Sequence, residues 1–204
     1  ETQGNIHLRK AVARFTYSWN GNLTEDDIVT TAGVTNAVAL ALSVITKSGD
    51  TIAVESPVYF GMLQLANSLG LRVLELPTNP VTGIDPDALR RVLPQINVCL
   101  LISNFNNPLG SCMPDEHKKA IVNMLTEHDI PLIEDDLYGD IFFGNSRPKP
   151  CKAFDKEGIV LWCGAVSKTL APGYRVGWIA PGRFKEAIIR RKNIHLISTP
   201  TLNQ

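Results

Sequence analysis

The chain has 204 residues and is 44% hydrophobic, 20% charged and 7% aromatic, which is the balance of a folded globular domain and excludes a disordered or fibrous chain. Twenty basic and twenty acidic residues give a formal net charge of zero, so the basic excess of a nucleic-acid-binding surface is absent. Apolar runs such as residues 98–102 are too short to span a bilayer, and the four cysteines lack zinc-site spacing, so we expect reduced thiols.

Hydrophobic periodicity and turn residues predict helices that alternate with short strands. In chain order the predicted elements are helix 8–19, strand 27–31, helix 34–46, strand 51–54, helix 59–69, strand 71–76, helix 86–93, strand 98–103, helix 114–128, strand 131–135, strand 159–163, strand 174–180 and helix 183–195. The alternation predicts a three-layer α/β/α fold with a mostly parallel seven-stranded sheet covered by helices on both faces. Residues 145–152, which include Pro148 and Pro150, are predicted to form a surface loop.

Polar residues follow several predicted strands, at the sheet edge where ligands bind in such folds. After the first strand, residues 32–35 lead into a helix whose N-terminal N–H groups and Thr35 hydroxyl suit a phosphate, although a plain helix cap has the same pattern. Tyr59 follows the second strand and suits either stacking on a flat ligand or packing in the core. Asn107 lies in the turn after the fourth strand, where an asparagine often bonds only its own backbone.

Two further patterns involve charged residues. Glu134, Asp135 and Asp136 end the apolar fifth strand, which suggests a metal or bound cation there, or else a solvated strand end. Lys168 is flanked by apolar residues in a short loop, so we expect it to be held inside, where burial lowers the pKa of a lysine and makes it a nucleophile. A nucleotide-binding phosphate loop is excluded, because Trp162 and Ser167 occupy the two positions before Lys168 at which that motif requires glycine.

From residue 4 to residue 192 the chain resembles the fold-type I aminotransferases, which use pyridoxal phosphate (PLP). The most specific segment is Ser-Lys-Thr-Leu-Ala-Pro-Gly-Tyr-Arg-Val-Gly-Trp at 167–178, preceded in order by Asn-Pro at 107–108 and Asp-x-x-Tyr at 135–138. Within this family, residues 106–116 and 170–178 look most like the aminotransferase-like domain of MocR-type regulators of the GntR superfamily. The resemblance implies pyridoxal phosphate as the cofactor and no metal.

The resemblance implies that Lys168 is the catalytic Schiff-base lysine, since only an amine forms the imine with the cofactor aldehyde. Asp135 matches the carboxylate that faces the pyridine nitrogen and keeps it protonated. Tyr138 and Asn107 match the groups that hydrogen-bond the ring oxygen, and Tyr59 matches the aromatic residue stacked on the ring.

Four more residues match the phosphate-binding part of the family site. Arg175 matches the phosphate-binding arginine, whose guanidinium binds a phosphate through two hydrogen bonds. Ser167 and the turn formed by Val34 and Thr35 would complete the phosphate cup. Ala165 stands where a hydroxyl residue is common in relatives, which removes one phosphate contact.

The resemblance implies a PLP-binding large domain over residues 1–197, with residues 198–204 starting the connection to a C-terminal small domain. An N-terminal arm or a winged-helix DNA-binding domain is expected outside the sequence. We interpret the chain as the effector domain of a MocR/GntR-type transcriptional regulator. The alternative is a stand-alone class I/II aminotransferase that moves an amino group between an amino acid and a 2-oxo acid, and the full set of contact residues disfavours a remnant without cofactor.

These hypotheses carry expectations about partners. We expect a cytoplasmic homodimer, an amino acid or 2-oxo acid ligand, DNA contact only through a domain outside this chain, and no membrane association. Basic residues cluster on the last helix, where we expect a solvated face or else a surface for a partner domain or nucleic acid. They are Arg183, Lys185, Arg190, Arg191 and Lys192.

Overall fold

Strands and helices alternate through the chain in the computed structural model, which describes residues 2–204 without the side chain of Thr201. The helices are α1 (Ile6–Phe15), α2 (Val34–Ile45), α3 (Phe60–Ser68), α4 (Pro86–Val92), α5 (Asp115–Glu127) and α6 (Lys185–His195). The strands are β1 (Val29–Thr31), β2 (Thr51–Ser56), β3 (Arg72–Asn79), β4 (Gly83–Ile84), β5 (Val98–Leu101), β6 (Leu132–Asp135), β7 (Val160–Ala165) and β8 (Gly177–Ala180).

The strands form one mixed sheet in the order β1-β8-β7-β6-β5-β2-β3-β4. The pairs β2·β3, β2·β5, β5·β6 and β6·β7 are parallel, whereas β8 runs antiparallel to β7 and β1, and β4 runs antiparallel to β3. This confirms the α/β fold with a mostly parallel sheet. The prediction of seven strands was wrong, because the two-residue β4 is too short to produce a hydrophobic period.

Each face of the sheet carries its own apolar core, so the central strands are buried on both sides. In β5, Val98 and Leu100 pack into one core with α2, while Cys99 and Leu101 pack into the other with α5. Successive side chains of a strand point to opposite faces, which explains why this strand lacks alternation in sequence. Within residues 2–204 no helix has both the length and the apolar character needed to cross a membrane.

Two local predictions were wrong because buried polar partners are not visible in sequence. The segment 145–152 is not simply a surface loop, since Arg147 and Lys152 are buried and ion-paired. On α6, Lys192 is fully buried rather than solvated, and its Nζ donates to Thr30 Oγ1 at 3.3 Å. Burial, together with the nearby charge of Arg9, lowers the pKa of Lys192 to about 8.

Candidate functional site

A cavity of about 260 Å³ lies at the carboxyl edge of the central strands, and all nine predicted site residues line it. The structure thus brings together side chains that are up to 141 positions apart in sequence (175 − 34 = 141), while their chemical roles stay predictions. The nine residues are Val34, Thr35, Tyr59, Asn107, Asp135, Tyr138, Ser167, Lys168 and Arg175. The sequence analysis missed four further lining residues, which have no chemical motif: Met62, Ile102, Leu137 and Pro172.

One end of the cavity suits an anion. There α2 begins at Val34, and its first backbone N–H groups have no partner within the helix. The Arg175 guanidinium lies beside this helix N-terminus, where Nη2 donates to Ala32 O at 3.0 Å. A Cβ on Gly33, which has φ +91°, would lie 2.5 Å from that Nη2 atom. Glycine at this position therefore leaves space for the guanidinium. A helix N-terminus beside an arginine has the charge and the N–H donors that suit a phosphate.

Asp135 places a buried carboxyl in the wall of the cavity. Its Oδ1 accepts the N–H of Leu137 at 3.1 Å. Burial raises the pKa of Asp135 to about 7; the Leu137 N–H opposes this rise, and the charges of Asp136 and Glu134 add to it. A cationic group in the cavity would lower this pKa again, so the carboxyl suits a protonated ring nitrogen.

The two acids on either side of Asp135 have other partners. Glu134 accepts the N–H groups of Cys151 and Lys152 at 2.6 and 2.9 Å. Asp136 forms an ion pair with Arg147 at 2.5 Å. The expectation of a solvated strand end was therefore wrong, since all three acids are buried. Among residues 2–204 no cluster of three or more His, Cys, Asp or Glu side chains suits a metal ion, and the cation beside Asp136 is the protein's own arginine.

Lys168 reaches the cavity from an exposed position. The expectation that it is held inside was wrong, because Ala165 and Val166 pack inward before Lys168, whereas Lys168 and Leu170 lie exposed in the loop after β7. The Lys168 Nζ atom lies 5.8 Å from the centroid of the Tyr138 ring. Tyr59 is half-buried in the cavity wall and its ring contacts Phe60, with the centroids 4.8 Å apart. An amine, a phenol and an aromatic face thus meet in the cavity that holds Asp135.

Glu55 is a second buried carboxyl close to the site, and the sequence analysis missed it. Glu55 Oε2 accepts the N–H of Ile102 at 2.6 Å. Burial raises the pKa of Glu55 to about 7; the Ile102 N–H and the nearby Asn106 amide oppose this rise, and the charge of Asp135 adds to it. Among the described residues, neither Glu55 Oε1 nor Asn106 Nδ2 makes a hydrogen bond of acceptable geometry. The signal in sequence was a glutamate at the end of an apolar strand, directly before the Tyr59 segment.

The family profile described as aminotransferase class I and II matches residues 1–201. The chain is 43% identical to a protein of Escherichia coli (strain K12) named uncharacterized HTH-type transcriptional regulator YjiR, over 93% of this chain and 41% of the relative. It is 31% identical to aromatic-amino-acid aminotransferase 1 of Thermococcus litoralis, over 100% of this chain and 51% of the relative. The chain therefore spans about two fifths to one half of the length of these relatives.

Solved structures give the same picture of the fold. An archaeal alanine:glyoxylate aminotransferase superposes with a TM-score of 0.92 at 27% identity, over 99% of this chain and 52% of its own. The α-aminoadipate aminotransferase LysN of Thermus thermophilus, solved as a complex with N-(5'-phosphopyridoxyl)-L-leucine, superposes with a TM-score of 0.90 at 28% identity, over 98% of this chain and 52% of its own.

Proposed function

The chain belongs to the class I and II aminotransferase family, and from this premise we propose that it is the PLP-binding effector domain of a MocR/GntR-type transcriptional regulator. The regulator proposal is supported by two relatives named HTH-type transcriptional regulators, which are 43% and 39% identical to this chain. Under this proposal residues 1–197 form the cofactor-binding large domain and residues 198–204 lead into a small domain. DNA is contacted only through a helix-turn-helix domain outside this chain.

The observation that carries the cofactor proposal is the anion site at one end of the cavity that also holds Asp135 and Lys168. Bound PLP supplies two chemical groups: an aldehyde carbon that bonds covalently to an amine, and a pyridine ring that accepts negative charge from the substrate. The N-terminus of α2, with Val34 and Thr35, and the Arg175 guanidinium would hold the phosphate, and the glycine at 33 leaves that guanidinium room. Ser167 would donate its hydroxyl to the same phosphate.

The remaining residues would bind and orient the ring. The Asp135 carboxylate would hold the proton on the ring nitrogen, and that cation would in turn keep Asp135 ionised. Tyr138 and Asn107 would donate hydrogen bonds to the ring oxygen, and Tyr59 would pack against the ring face. The Lys168 amine would bond covalently to the cofactor and, once released, move a proton between substrate and cofactor.

The alternative function is a stand-alone aminotransferase for an amino acid and a 2-oxo acid. It is supported by the Thermococcus litoralis relative, which matches 100% of this chain. Both functions use the same nine residues, so an amino acid or 2-oxo acid is the proposed ligand in either case. We also propose that the protein is cytoplasmic and forms a homodimer. The dimer is supported by exposed apolar side chains in the loop that carries Lys168, since Leu170 and Tyr174 are 73% and 53% exposed.

The experiment that separates the two functions uses the full-length protein loaded with PLP. Binding to a DNA fragment carrying the promoter next to its gene is measured by mobility shift, with and without each amino acid in turn. The regulator proposal predicts DNA binding that changes with PLP or an amino acid, and Lys168→Ala removes the change but leaves DNA binding.

Lys156→Ala, at an exposed lysine away from the cavity, is the matched control and is expected to behave like the wild type. Sustained amino transfer to a 2-oxo acid, together with no DNA binding, would overturn the regulator proposal in favour of the enzyme.

A further inference from the structure

A single arginine joins both ends of the turn that carries Tyr138. Arg147 Nη2 lies 2.5 Å from Asp136 Oδ2, and Arg147 Nε lies 2.6 Å from Asp140 Oδ1. The two carboxylates flank Tyr138 in sequence, two positions before it and two after it. The Arg147 side chain is only 3% exposed, although it comes from the segment 145–152 that the sequence predicts to be a surface loop. The guanidinium therefore bridges the two ends of the turn 136–140 through two ion pairs.

The Asp136 end of this turn is anchored to two other parts of the fold. Asp136 Oδ1 accepts from Asn104 Nδ2 at 2.9 Å, and Asp136 Oδ2 accepts from Trp162 Nε1 at 2.7 Å. Asn104 is itself held by the fully buried Lys118, whose Nζ donates to Asn104 Oδ1 at 2.6 Å. In a buried network of this kind each broken hydrogen bond leaves an unsatisfied group, so the network holds Asp136 rigidly.

The turn leaves no room for a side chain at position 139, next to Tyr138. A Cβ on Gly139 would clash with Asp136 Oδ1 and would lie 2.5 Å from Arg147 Nη2. Glycine at this position therefore lets the guanidinium lie against the backbone of the turn. The close packing and the two ion pairs act on the same five residues, 136–140, in whose middle Tyr138 stands.

Arg147 also balances charge next to Asp135. Burial lowers the pKa of Arg147, but the carboxylates of Asp136 and Asp140 hold it above the ordinary value, so the guanidinium is charged. Without that charge, ionised Asp136 would repel the neighbouring Asp135 carboxylate more strongly, since Asp136 already raises the pKa of Asp135.

We propose that Arg147 is a positioning residue for the site: by tying Asp136 to Asp140 it fixes Tyr138 at the cavity and shields Asp135 from the charge of Asp136. This inference rests on the proposed function for the roles of Tyr138 and Asp135. The arginine itself lines no part of the cavity, so its effect is exerted through the turn.

The test compares Arg147→Gln and Arg147→Lys with the wild-type full-length protein. The first readout, without cofactor, is the hydrogen exchange rate of the 136–141 amides, which we expect to rise about tenfold or more in Arg147→Gln. The second is the pH midpoint of the visible absorbance of bound PLP, which we expect to rise by about half a unit or more as positive charge and the Tyr138 hydrogen bond are lost. Arg147→Lys should show smaller changes in both readouts than Arg147→Gln, since lysine keeps the positive charge but cannot bind both carboxylates in the geometry of a guanidinium.

Arg183→Gln is the matched control, because it removes an exposed ion pair with Asp129 and should change neither readout. If Arg147→Gln does not fold, Asp140→Asn decides the question, since Asp140 is 32% exposed and its loss releases only one arm of the pair. Wild-type exchange in the turn together with a wild-type midpoint would overturn the role of Arg147. If the wild-type protein does not attach PLP at Lys168, the proposed function fails instead, and the exchange rates alone judge whether Arg147 holds the turn.

Discussion

At the scale of single residues, two carboxyl groups in or next to the cavity are buried at a cost in stability. Asp135 and Glu55 are 4% and 0% exposed, and burial raises the pKa of each to about 7. In the unfolded chain both groups ionise near their ordinary pKa values. Burying them in an apolar environment therefore lowers the free energy of unfolding at neutral and alkaline pH. Groups of this kind are typical of ligand sites, where the bound molecule later supplies the missing charge.

Asp135→Asn should stabilise the cofactor-free protein at alkaline pH. The folded-state pKa of about 7 lies above the ordinary value of 3.8, so the folded protein holds this proton more tightly than the unfolded chain does. The carboxyl's contribution to the free energy of unfolding is full below about pH 4 and is lost as the pH rises through 7.

The shift of about three pKa units corresponds to about 4 kcal/mol at pH 8, and the cost of burying the new asparagine amide offsets part of it. We therefore expect a net gain of roughly 1–3 kcal/mol at pH 8 and a much smaller one at pH 4.5. Urea unfolding at the two pH values measures this difference. An equal effect of Asp135→Asn at both pH values would show that the carboxyl is not destabilised by burial.

Gly33→Ala should weaken the anion site while lowering stability no more than the same substitution at another glycine of positive φ. The new Cβ would lie 2.5 Å from Arg175 Nη2 and displace the guanidinium. We expect the affinity for PLP, measured by fluorescence titration, to fall about tenfold, as for the loss of one charge-assisted hydrogen bond.

Gly49→Ala is a close control, because Gly49 has φ +92° against +91° at Gly33, with nothing within 4 Å of its added Cβ. Both substitutions strain the backbone and should lower stability by about 1 kcal/mol, but only Gly33→Ala should lose affinity. Equal PLP affinities of the two variants would exclude Arg175 and the α2 N-terminus as the phosphate site.

At the scale of elements, local sequence signals located the helices well. The predicted helix 86–93 is observed as Pro86–Val92, and Asp85 caps it by accepting the N–H of Asp87 at 3.0 Å. Here the start signal is local, because the cap and the helix it serves are neighbours in sequence. The segment 145–152 was mistaken for a surface loop because its partners, Asp136 and Lys118, lie elsewhere in the chain.

Substitution of Lys118, the buried lysine of α5, tests whether this helix is tied to the segment 145–152. Lys118 is fully buried and its Nζ donates to Asn104 Oδ1 and to Lys149 O, both at 2.6 Å. Lys118→Met keeps the length of the side chain but leaves both acceptors unsatisfied, so we expect the free energy of unfolding to fall by roughly 2–4 kcal/mol.

Lys119→Met changes the next residue of the same helix, which is exposed, and should cost less than about 0.5 kcal/mol. Urea denaturation of the two variants measures the difference. Similar midpoints would mean that Lys118 does not tie α5 to the segment 145–152.

At the scale of the whole molecule, the topology of the sheet explains why residues predicted from sequence line one cavity. Parallel strands end at one edge, so residues after β2, β5 and β6 meet there, and the loop after β7 joins them. The exposure of Lys168 and the apolar lining by Met62 were not predictable. Both depend on how loops and helices pack around that edge, which no local pattern encodes.

The central claim is that this cavity binds PLP through Lys168, and covalent fixation tests it most directly. The full-length protein is incubated with PLP, reduced with borohydride, digested and analysed by mass spectrometry. We predict a pyridoxyl group on the peptide containing Lys168, its loss in Lys168→Ala, and its retention in Lys156→Ala. A pyridoxyl group on Lys192 or any other lysine, or one that survives Lys168→Ala, would contradict the account.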